Sequence, residues 1–270
     1  MLVDGRKLAV ERREEVRKER DLFGALSLGV VMAIEDKVTQ SYVGIKKRAA
    51  EALNIDVVEY RIRDGASTEE VVQTVAKASV HDGIITQLPM PGIDIDAVRN
   101  AIPPLLDVDV LGDVALEKFA RGEFPPTPPV PAAMQYILAR NGIEIKGKKV
   151  TTVGFGRLVG KPGKILFTHL GATVVVADKG DDVATLTKDA DIIILGTGVA
   201  QILKPHMVKA GVAILDAGAS ELGGKVVGDA DRACAEKASL FTPVPGGVGP
   251  IAVVEIFANL VHLAKQKKAA

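Results

Sequence analysis

The chain has 270 residues, 47% hydrophobic and 25% charged, a composition typical of a globular protein rather than a disordered one. Its 34 Lys and Arg residues balance 34 Asp and Glu residues, which argues against a nucleic-acid or polyanion binder. No uninterrupted apolar run reaches the roughly 20 residues of a membrane helix, and the N-terminus is charged where a signal peptide is apolar. A single cysteine, Cys234, excludes an internal disulfide. We therefore expect a cytoplasmic protein that binds neither nucleic acid nor membranes.

In the first half of the chain, short apolar and β-branched runs alternate with stretches of helical spacing. The later helical stretch opens with a capping-box pattern, Ser67 or Thr68 followed by acidic residues. Strands that alternate with helices pair in parallel through right-handed crossovers, which predicts an α/β domain. In chain order the predicted elements are a strand at 26–34, a helix at 40–53, a strand at 57–63, a helix at 67–80 and a strand at 83–89.

A proline-rich window at 122–131 interrupts this pattern. Its five prolines exclude a regular helix or a central strand there, and we interpret it as a rigid hinge. A second α/β series follows, and the apolar residues of 251–268 lie on one helical face. We predict two α/β domains with a cleft between them, one at 1–121 completed by helix 251–268 and one at 122–250. The strands of the second series are predicted at 148–156, 172–178, 191–198 and 212–219.

The first strand of the second series ends in a glycine-rich turn. Gly154, Gly156 and Gly160 precede a predicted helix, and backbone amides there can approach a pyrophosphate. Asp178 ends the next strand, where an acid accepts hydrogen bonds from a ribose 2′-hydroxyl. The spacing is GxGxxxG, so a tight turn without a ligand is the alternative. The combination predicts a Rossmann-type dinucleotide-binding domain, in which Asp178 favours NAD and Lys179 would pair with the 2′-phosphate of NADP.

Four polar residues in the first half are candidates for chemistry. Tyr42 and Lys46 are four residues apart and share one helix face, and Gln87 ends a predicted strand, where α/β sheets place their ligands. Asp109 precedes the proline window. Taken singly, each has an ordinary alternative. The basic run 46–48 is typical of a solvated face, Tyr42 of a half-buried core residue and Asp109 of a turn.

The sequence gives no support for a metal site. His81, His169, His206 and His262 lack the spacing of helical metal ligands, and there is no CxxC motif. Cys234 lies in a helix-like segment without a histidine near it in the sequence, which argues against a nucleophile. We therefore predict that the protein has no metal.

An ordered set of motifs covers essentially the whole chain. It comprises SYVGIKKRAAEALNI (41–55), GIITQLPMPG (83–92), LDVDV (106–110), PTP (126–128), VGFGRLVGKP (153–162), KVVGDAD (225–231) and TPVPGGVGPIAV (242–253). With this set the chain resembles the bifunctional methylenetetrahydrofolate dehydrogenase/cyclohydrolases. The resemblance implies a catalytic, folate-binding first domain. It also implies oxidation of 5,10-methylenetetrahydrofolate by a nicotinamide dinucleotide and hydrolysis of the methenyl product to 10-formyltetrahydrofolate.

The resemblance also implies roles for individual residues. Lys46 would handle protons, and Gln87 would hydrogen-bond to it and adjust its protonation. Tyr42 would pack along the aminobenzoyl part of the folate, and Asp109 would accept hydrogen bonds from the pterin. Further substrate-binding residues would be Leu88, Pro89, Pro245, Gly246, Gly247, Val248, Gly249 and Pro250. Cofactor-binding residues would be Gly154, Phe155, Gly156, Arg157, Gly160, Asp178, Lys179, Thr197, Gly198 and Ala219.

The chain departs from the family pattern mainly on the cofactor side. Val110 replaces the usual glycine after Asp109, Phe155-Gly156 replaces Arg-Ser, and Asp178-Lys179 replaces His-Ser. Ile251-Ala252 replaces Met-Thr. Family habit favours NADP and a homodimer, and NAD is the alternative. Two other functions are left open: a dehydrogenase of another pterin or small substrate without the hydrolytic step, and a non-catalytic nucleotide sensor or scaffold.

Overall fold

The computed structural model describes residues 1–33 and 37–269. Its α-helices are α1 (Gly5–Arg20), α2 (Lys37–Glu51), α3 (Thr68–Ala78), α4 (Ile95–Asn100), α5 (Asp113–Ala120), α6 (Pro129–Arg140), α7 (Gly160–His169), α8 (Val183–Thr187) and α9 (Val248–Ala269). Its strands are β1 (Ser27–Met32), β2 (Asp56–Arg61), β3 (Gly83–Gln87), β4 (Lys149–Val153), β5 (Thr173–Ala177), β6 (Ile192–Leu195), β7 (Ala213–Asp216), β8 (Ser220–Leu222), β9 (Lys225–Val227) and β10 (Leu240–Phe241).

The chain divides into two compact units. The five-stranded unit contains Met1–Glu11 and Val130–Ala252, and the three-stranded unit contains Arg12–Pro129 and Val253–Ala270. Helices α1 and α9 contribute residues to both units. The domain boundaries predicted from the sequence, near residues 121 and 250, remain a prediction beside this grouping, which assigns the first eleven residues to the five-stranded unit.

The three-stranded unit is built on a parallel sheet in the order β2-β1-β3. Strand β1 is its buried centre, since Leu28, Val30 and Val31 are fully covered. Helix α3 begins with the predicted capping box, in which Ser67 accepts from the Glu70 amide and the Glu70 carboxylate accepts from the Ser67 amide. The carboxyl end of β3 is the end at which Gln87 lies.

The five-stranded unit has a parallel sheet in the order β10-β7-β6-β4-β5. Strands β6 and β7 are buried throughout, as expected for a parallel sheet covered on both faces. Strand β5 lies on one side of β4 and strands β6, β7 and β10 lie on the other, so the strand order switches direction between β4 and β6. In doubly wound sheets a ligand binds beyond the carboxyl ends of the strands at such a switch point. An antiparallel hairpin, β8–β9, completes the unit.

The predicted fold class, two α/β domains with parallel sheets, is confirmed. The exclusion of a helix from 122–131 is wrong at its end, because α6 begins at Pro129. Proline is tolerated in the first turn, where no intrahelical partner exists for its missing N–H. Helix α9 begins at Val248, three residues before the predicted start. The sequence analysis did not predict α1 or the β8–β9 hairpin.

Among the described residues, one helix is long and apolar enough to cross a membrane, over Val248–Lys268. In its most apolar window 72% of the residues are buried inside the structure. Core helices of soluble proteins have the same length and composition. The segment therefore carries no membrane assignment by itself.

Candidate active site

The centre of the candidate site is a hydrogen bond between α2 and β3. Lys46 lies on α2, and its Nζ donates to Oε1 of Gln87 over 2.8 Å. Gln87 is the last residue of β3 and is only 9% exposed. Its Nε2 donates to the carbonyl of Leu88 over 2.8 Å, which directs Oε1 toward the lysine. The expected contact between Lys46 and Gln87 is therefore present.

The third member of this group is Asp109, which lies close enough to Lys46 for their charges to interact. Burial lowers the pKa of Lys46 below its ordinary value, and the negative charge of Asp109 only partly opposes this. Burial also raises the pKa of Asp109, opposed by the charge of Lys46. Since both shifts favour the neutral forms, the amine can lose a proton more readily than a solvated lysine does.

The buried side chain of Asp107 supports the loop that carries Asp109 by accepting a hydrogen bond from its backbone. This carboxylate is 1% exposed, and its Oδ2 accepts from the amide of Gly112 over 2.8 Å. Its Oδ1 is buried without a hydrogen-bond partner among the described residues. Burial raises the pKa of Asp107 to about 6, helped by the charge of Asp109. A second support comes from α9, where Asn259 Nδ2 donates to the carbonyl of Val108 over 2.8 Å.

Three other predicted substrate residues lie in the same unit. Tyr42 belongs to α2 by its backbone, and its side chain lies outside the described residues. Leu88 and Pro89 follow β3, are exposed, and are joined by a cis peptide bond. The three-stranded unit thus brings Lys46, Gln87 and Asp109 together and places Leu88 and Pro89 directly after Gln87.

The predicted substrate loop, 245–250, belongs to the five-stranded unit. Gly246 has a φ of +102°, and its carbonyl accepts from the amide of Gly5 over 3.0 Å. A Cβ on Gly247 would lie 2.6 Å from the carbonyl oxygen of Pro243, so no side chain fits there. Pro245 precedes these glycines and is exposed, and the last three loop residues form the first turn of α9. They are Val248, Gly249 and Pro250.

The glycine turn after β4 has the shape of a ligand cradle. Gly154 has a φ of +84°, and a Cβ on Gly160 would lie 1.9 Å from the Gly154 carbonyl oxygen. The backbone therefore turns tightly enough to bring the start of α7 against the end of β4. Phe155 and Gly156 are exposed on this turn, and Arg157 follows them. A turn of this kind at a helix N-terminus fits the pyrophosphate of a dinucleotide.

The other predicted cofactor residues follow neighbouring strands of the same sheet. Asp178 and Lys179 are exposed directly after β5. Thr197 and Gly198 lie in the loop after β6, and Ala219 is exposed in the loop after β7. All of these loops lie at the carboxyl edge of the sheet, because its strands are parallel. The predicted residues of this group therefore share one edge.

Comparison with known proteins identifies the family of this chain. The family model described as "Tetrahydrofolate dehydrogenase/cyclohydrolase, catalytic domain" matches residues 3–109, and that family's NAD(P)-binding domain matches residues 128–268. This chain belongs to the tetrahydrofolate dehydrogenase/cyclohydrolase family. Its relatives include the bifunctional protein FolD of Aquifex aeolicus, which is 37% identical over 99% of this chain and 96% of its own length. FolD of Methanospirillum hungatei is 34% identical over 99% and 98%.

Two solved structures of the family are similar over the whole chain. The FolD methylenetetrahydrofolate dehydrogenase/cyclohydrolase of Campylobacter jejuni gives a TM-score of 0.94 at 30% identity, covering 99% of both chains. The FolD enzyme of Trypanosoma brucei, solved with NADP and an inhibitor, gives 0.92 at 28% identity, covering 100% of this chain and 99% of its own. The resemblance stated from the motifs is confirmed.

The loop has an unusual backbone conformation beside Asp109. Val110, which stands where the motif resemblance leads us to expect a glycine, has a φ of +55°, a left-handed conformation that β-branched residues rarely adopt. Its side chain is 1% exposed, so packing in the core holds the backbone there. The turn is therefore held at a cost in backbone strain.

Two residues that support the Asp109 loop were not predicted from the sequence. Asp107 and Asn259 both hold the Asp109 loop, and Asn259 is 150 positions further along the chain than Asp109. What distinguishes these two residues is that their polar side chains are buried, and a single sequence does not show which polar residues are buried. Among the described residues no cluster of three His, Cys, Asp or Glu side chains could hold a metal ion. Cys234 is buried, and burial raises the pKa of its thiol to about 11.

Proposed function

We propose that this protein oxidises 5,10-methylenetetrahydrofolate with a nicotinamide dinucleotide and hydrolyses the methenyl product to 10-formyltetrahydrofolate. One observation carries the proposal: Lys46 donates to Gln87 over 2.8 Å, with a lowered pKa and Asp109 close by, in a chain that contains both family domains. A scaffold needs no such group of residues.

The oxidation requires positioning more than proton transfer. The methylene carbon lies between two nitrogens, whose lone pairs stabilise the cation that remains after hydride loss. The dinucleotide, when bound, supplies the hydride acceptor. The residues that would hold it are Gly154, Gly160 and their neighbours, because a cradle closed to any Cβ lets the backbone approach a pyrophosphate. The chain's contribution to this step is to fix the distance between the reacting carbons.

The hydrolysis requires a proton acceptor. A water oxygen bonds to the methenyl carbon and its proton passes to Lys46, whose neutral form is favoured by burial. The carbon then carries a hydroxyl group, and its bond to the ring nitrogen N5 breaks as the hydroxyl loses its proton and N5 gains one. The formyl group stays on N10, and Lys46 releases the first proton to solvent. Gln87 holds Nζ at one position throughout, because its own amide is anchored on Leu88.

Binding of the folate falls to Asp109 and Tyr42 in this proposal. A carboxylate accepts paired hydrogen bonds from the amino group and ring N–H of a pterin. The supports from Asp107 and Asn259 keep the Asp109 loop in one conformation before substrate arrives. Preorganisation of this kind lowers the ordering cost of binding.

The motif resemblance predicts NADP, with NAD as the alternative; from the carboxylates at the end of β5 we infer instead a preference for NAD. The exposed carboxylate of Asp178 follows β5, where it can accept from a ribose 2′-hydroxyl, and it would repel a 2′-phosphate. A second carboxylate stands beside it, since Asp181 Oδ2 accepts from the Asp178 amide over 2.9 Å. Phe155 occupies the place of the family's arginine, and Lys179 is the adjacent cation that supports NADP instead.

The preference is tested by Asp178→Ser. We expect the ratio of kcat/KM with NADP to that with NAD to rise by about tenfold or more, since a like charge beside the phosphate is removed. Lys179→Ser is the matched control, and under NAD preference it changes this ratio by less than threefold. A wild-type enzyme faster with NADP, and slowed by Lys179→Ser, would overturn the preference.

The function itself is tested with the purified full chain. It should reduce NAD or NADP only when 5,10-methylenetetrahydrofolate is present, and it should hydrolyse added 5,10-methenyltetrahydrofolate without any dinucleotide. Reduction without hydrolysis would identify a dehydrogenase that lacks the second step. Failure in both assays would overturn the proposal.

Two further properties are proposed from the resemblance and from composition. A homodimer is the family's expected state, and light scattering on the purified protein measures it. A cytoplasmic location fits a chain with one cysteine, which is buried. Fractionation of the source cells tests the location.

A further inference from the structure

The loop after β6 lies at the switch point of the five-stranded sheet. Strands β4 and β6 are neighbours there, and the turns that follow them touch. A Cβ on Gly154 would lie 2.9 Å from the carbonyl oxygen of Gly196. Thr197 and Gly198 follow directly. Any dinucleotide held by the glycine turn after β4 therefore meets this loop as its neighbour.

A single buried carboxylate oxygen holds the loop. Asp229 is 0% exposed, and its Oδ2 accepts from the amide of Thr197 over 2.5 Å and from the amide of Gly198 over 3.2 Å. The Thr197 hydroxyl donates to the same oxygen over 2.8 Å. The position of two successive peptide groups is thus set by one side chain that lies some thirty residues further along the chain.

Asp229 is itself fixed in place by its surroundings. Cβ atoms do not fit on Gly218, where one would lie 2.0 Å from the Asp229 carboxyl group, or on Gly228, where one would lie 2.2 Å from Asp216 Oδ2. Asp216 accepts from the amide of Gly218 over 3.0 Å and from the amide of Ala230 over 2.8 Å. Gly218 therefore packs directly against the Asp229 carboxyl group, and Gly228 packs directly against that of Asp216. This close packing restricts the position of Asp229.

This arrangement is costly in free energy. Asp229 Oδ1 is buried without a hydrogen-bond partner among the described residues, and a buried polar atom without a partner is destabilising. The charges of Asp216 and Asp229 also repel each other. A residue that served stability alone would gain little from this geometry. What the geometry does provide is a rigid loop at the edge where the dinucleotide binds.

We propose that Asp229 is a positioning residue for the dinucleotide, which it serves by fixing the Thr197–Gly198 loop beside the glycine turn. The proposal rests on the proposed dehydrogenase function. It assigns no direct contact with the folate and no part in the hydrolysis. The residue acts through Thr197 and Gly198, so its loss should affect dinucleotide binding before it affects the chemical step.

The test is Asp229→Asn in the full chain, with Asp231→Asn as the matched control. Asp231 is a nearby carboxylate that pairs with Lys204 over 3.1 Å, and among the described residues it has no hydrogen bond to Thr197 or Gly198. We expect the KM of the dinucleotide to rise by about tenfold or more for Asp229→Asn, as for loss of a charge-assisted hydrogen bond. Hydrolysis of added methenyltetrahydrofolate should stay within about twofold, and Asp231→Asn should behave as the wild type.

An unchanged dinucleotide KM in a folded Asp229→Asn protein overturns the inference. If that variant fails to fold, Thr197→Val decides, because it removes only the hydroxyl donor. Its dinucleotide KM should rise by about threefold with hydrolysis intact, and an unchanged KM there also overturns the inference. A wild-type protein that reduces no dinucleotide would instead contradict the proposed function, so the two failures are distinguishable.

Discussion

The two units form their candidate sites from different kinds of chemical group, side chains in one unit and backbone in the other. In the three-stranded unit the site consists of interacting side chains: Lys46 donates to Gln87, and burial shifts the pKa values of Lys46 and Asp109. In the five-stranded unit it consists of backbone, with Gly154 and Gly160 packed so closely that no Cβ fits. The first arrangement is sensitive to the removal of a charge, and the second to the addition of a carbon atom.

The largest effect is expected from removing the amine. Lys46→Met should lower the hydrolysis of methenyltetrahydrofolate by about 10²-fold or more, the usual size of a general acid–base contribution. Dinucleotide reduction should persist in part, because that step needs no proton transfer by Lys46. Initial rates of both reactions on the same preparation measure the difference.

Lys47→Met is the matched control for this change. Lys47 is exposed on the same helix and forms an ion pair with Glu59, away from Gln87. Its loss should leave both rates within about twofold, since an exposed ion pair contributes little. An equal fall of the two activities in Lys46→Met would show that the lysine binds substrate rather than moves a proton.

In the five-stranded unit the corresponding change is Gly160→Ala. The new Cβ would lie 1.9 Å from the Gly154 carbonyl oxygen, so the turn must open. We expect dinucleotide affinity to fall by about tenfold or more, with hydrolysis retained. Gly163→Ala on the same helix is the control, since its Cβ would meet only Ile194 at 3.7 Å and alanine favours helix by about 1 kcal/mol. A Gly160→Ala protein with the wild-type KM for the dinucleotide would contradict the view that dinucleotide binding depends on this tight backbone turn.

The same contrast explains how much could be predicted from the sequence. All strands of the two parallel sheets except the short β10 were predicted to within a few residues, because apolar, β-branched runs are local signals. The Gly154–Gly160 turn was predicted because its glycines can be read directly from the sequence. The pairing of Lys46 with Gln87 came from a family resemblance, since 41 positions separate them. Asp107, Asn259 and Asp229 were missed because their importance lies in burial and in partners distant in sequence.

Buried carboxyl groups allow a further comparison of the two units, because each unit contains one whose pKa is raised to about 6. Burial raises the pKa of both Asp107 and Asp216 to about 6 from an ordinary 3.8. Between pH 3.8 and about pH 6 each of these two carboxyl groups therefore keeps its proton in the native state and loses it in the unfolded state. The contribution of the two groups to the free energy of unfolding falls as pH rises from about 4 to about 6. The contribution of each carboxyl group to the free energy of unfolding falls by up to about 3 kcal/mol across this pH range.

Urea unfolding of Asp216→Asn at pH 4.5 and pH 7.5 measures this contribution. The variant lacks the titration, so its free-energy deficit relative to the wild type should be smaller at pH 7.5. Asp191→Asn is a control of opposite sign: its carboxylate pairs with Lys209 and its pKa is lowered, so its contribution is lost as pH falls. A deficit for Asp216→Asn that does not change with pH would contradict the raised pKa.

The smallest effect, and the sharpest probe of the predicted substrate loop, is Gly249→Ala. Apart from its chain neighbours and the backbone of its own helix, no described atom lies within 4 Å of a Cβ built on Gly249. The residue is in the first turn of α9, so the free energy of unfolding should hold or rise slightly. Gly247→Ala differs because its Cβ would meet the Pro243 carbonyl at 2.6 Å, and it should destabilise the protein. A rise of about fivefold in folate KM for Gly249→Ala therefore reports contact with substrate alone, equivalent to about 1 kcal/mol. An unchanged folate KM would remove Gly249 from the substrate site and leave the loop a structural role.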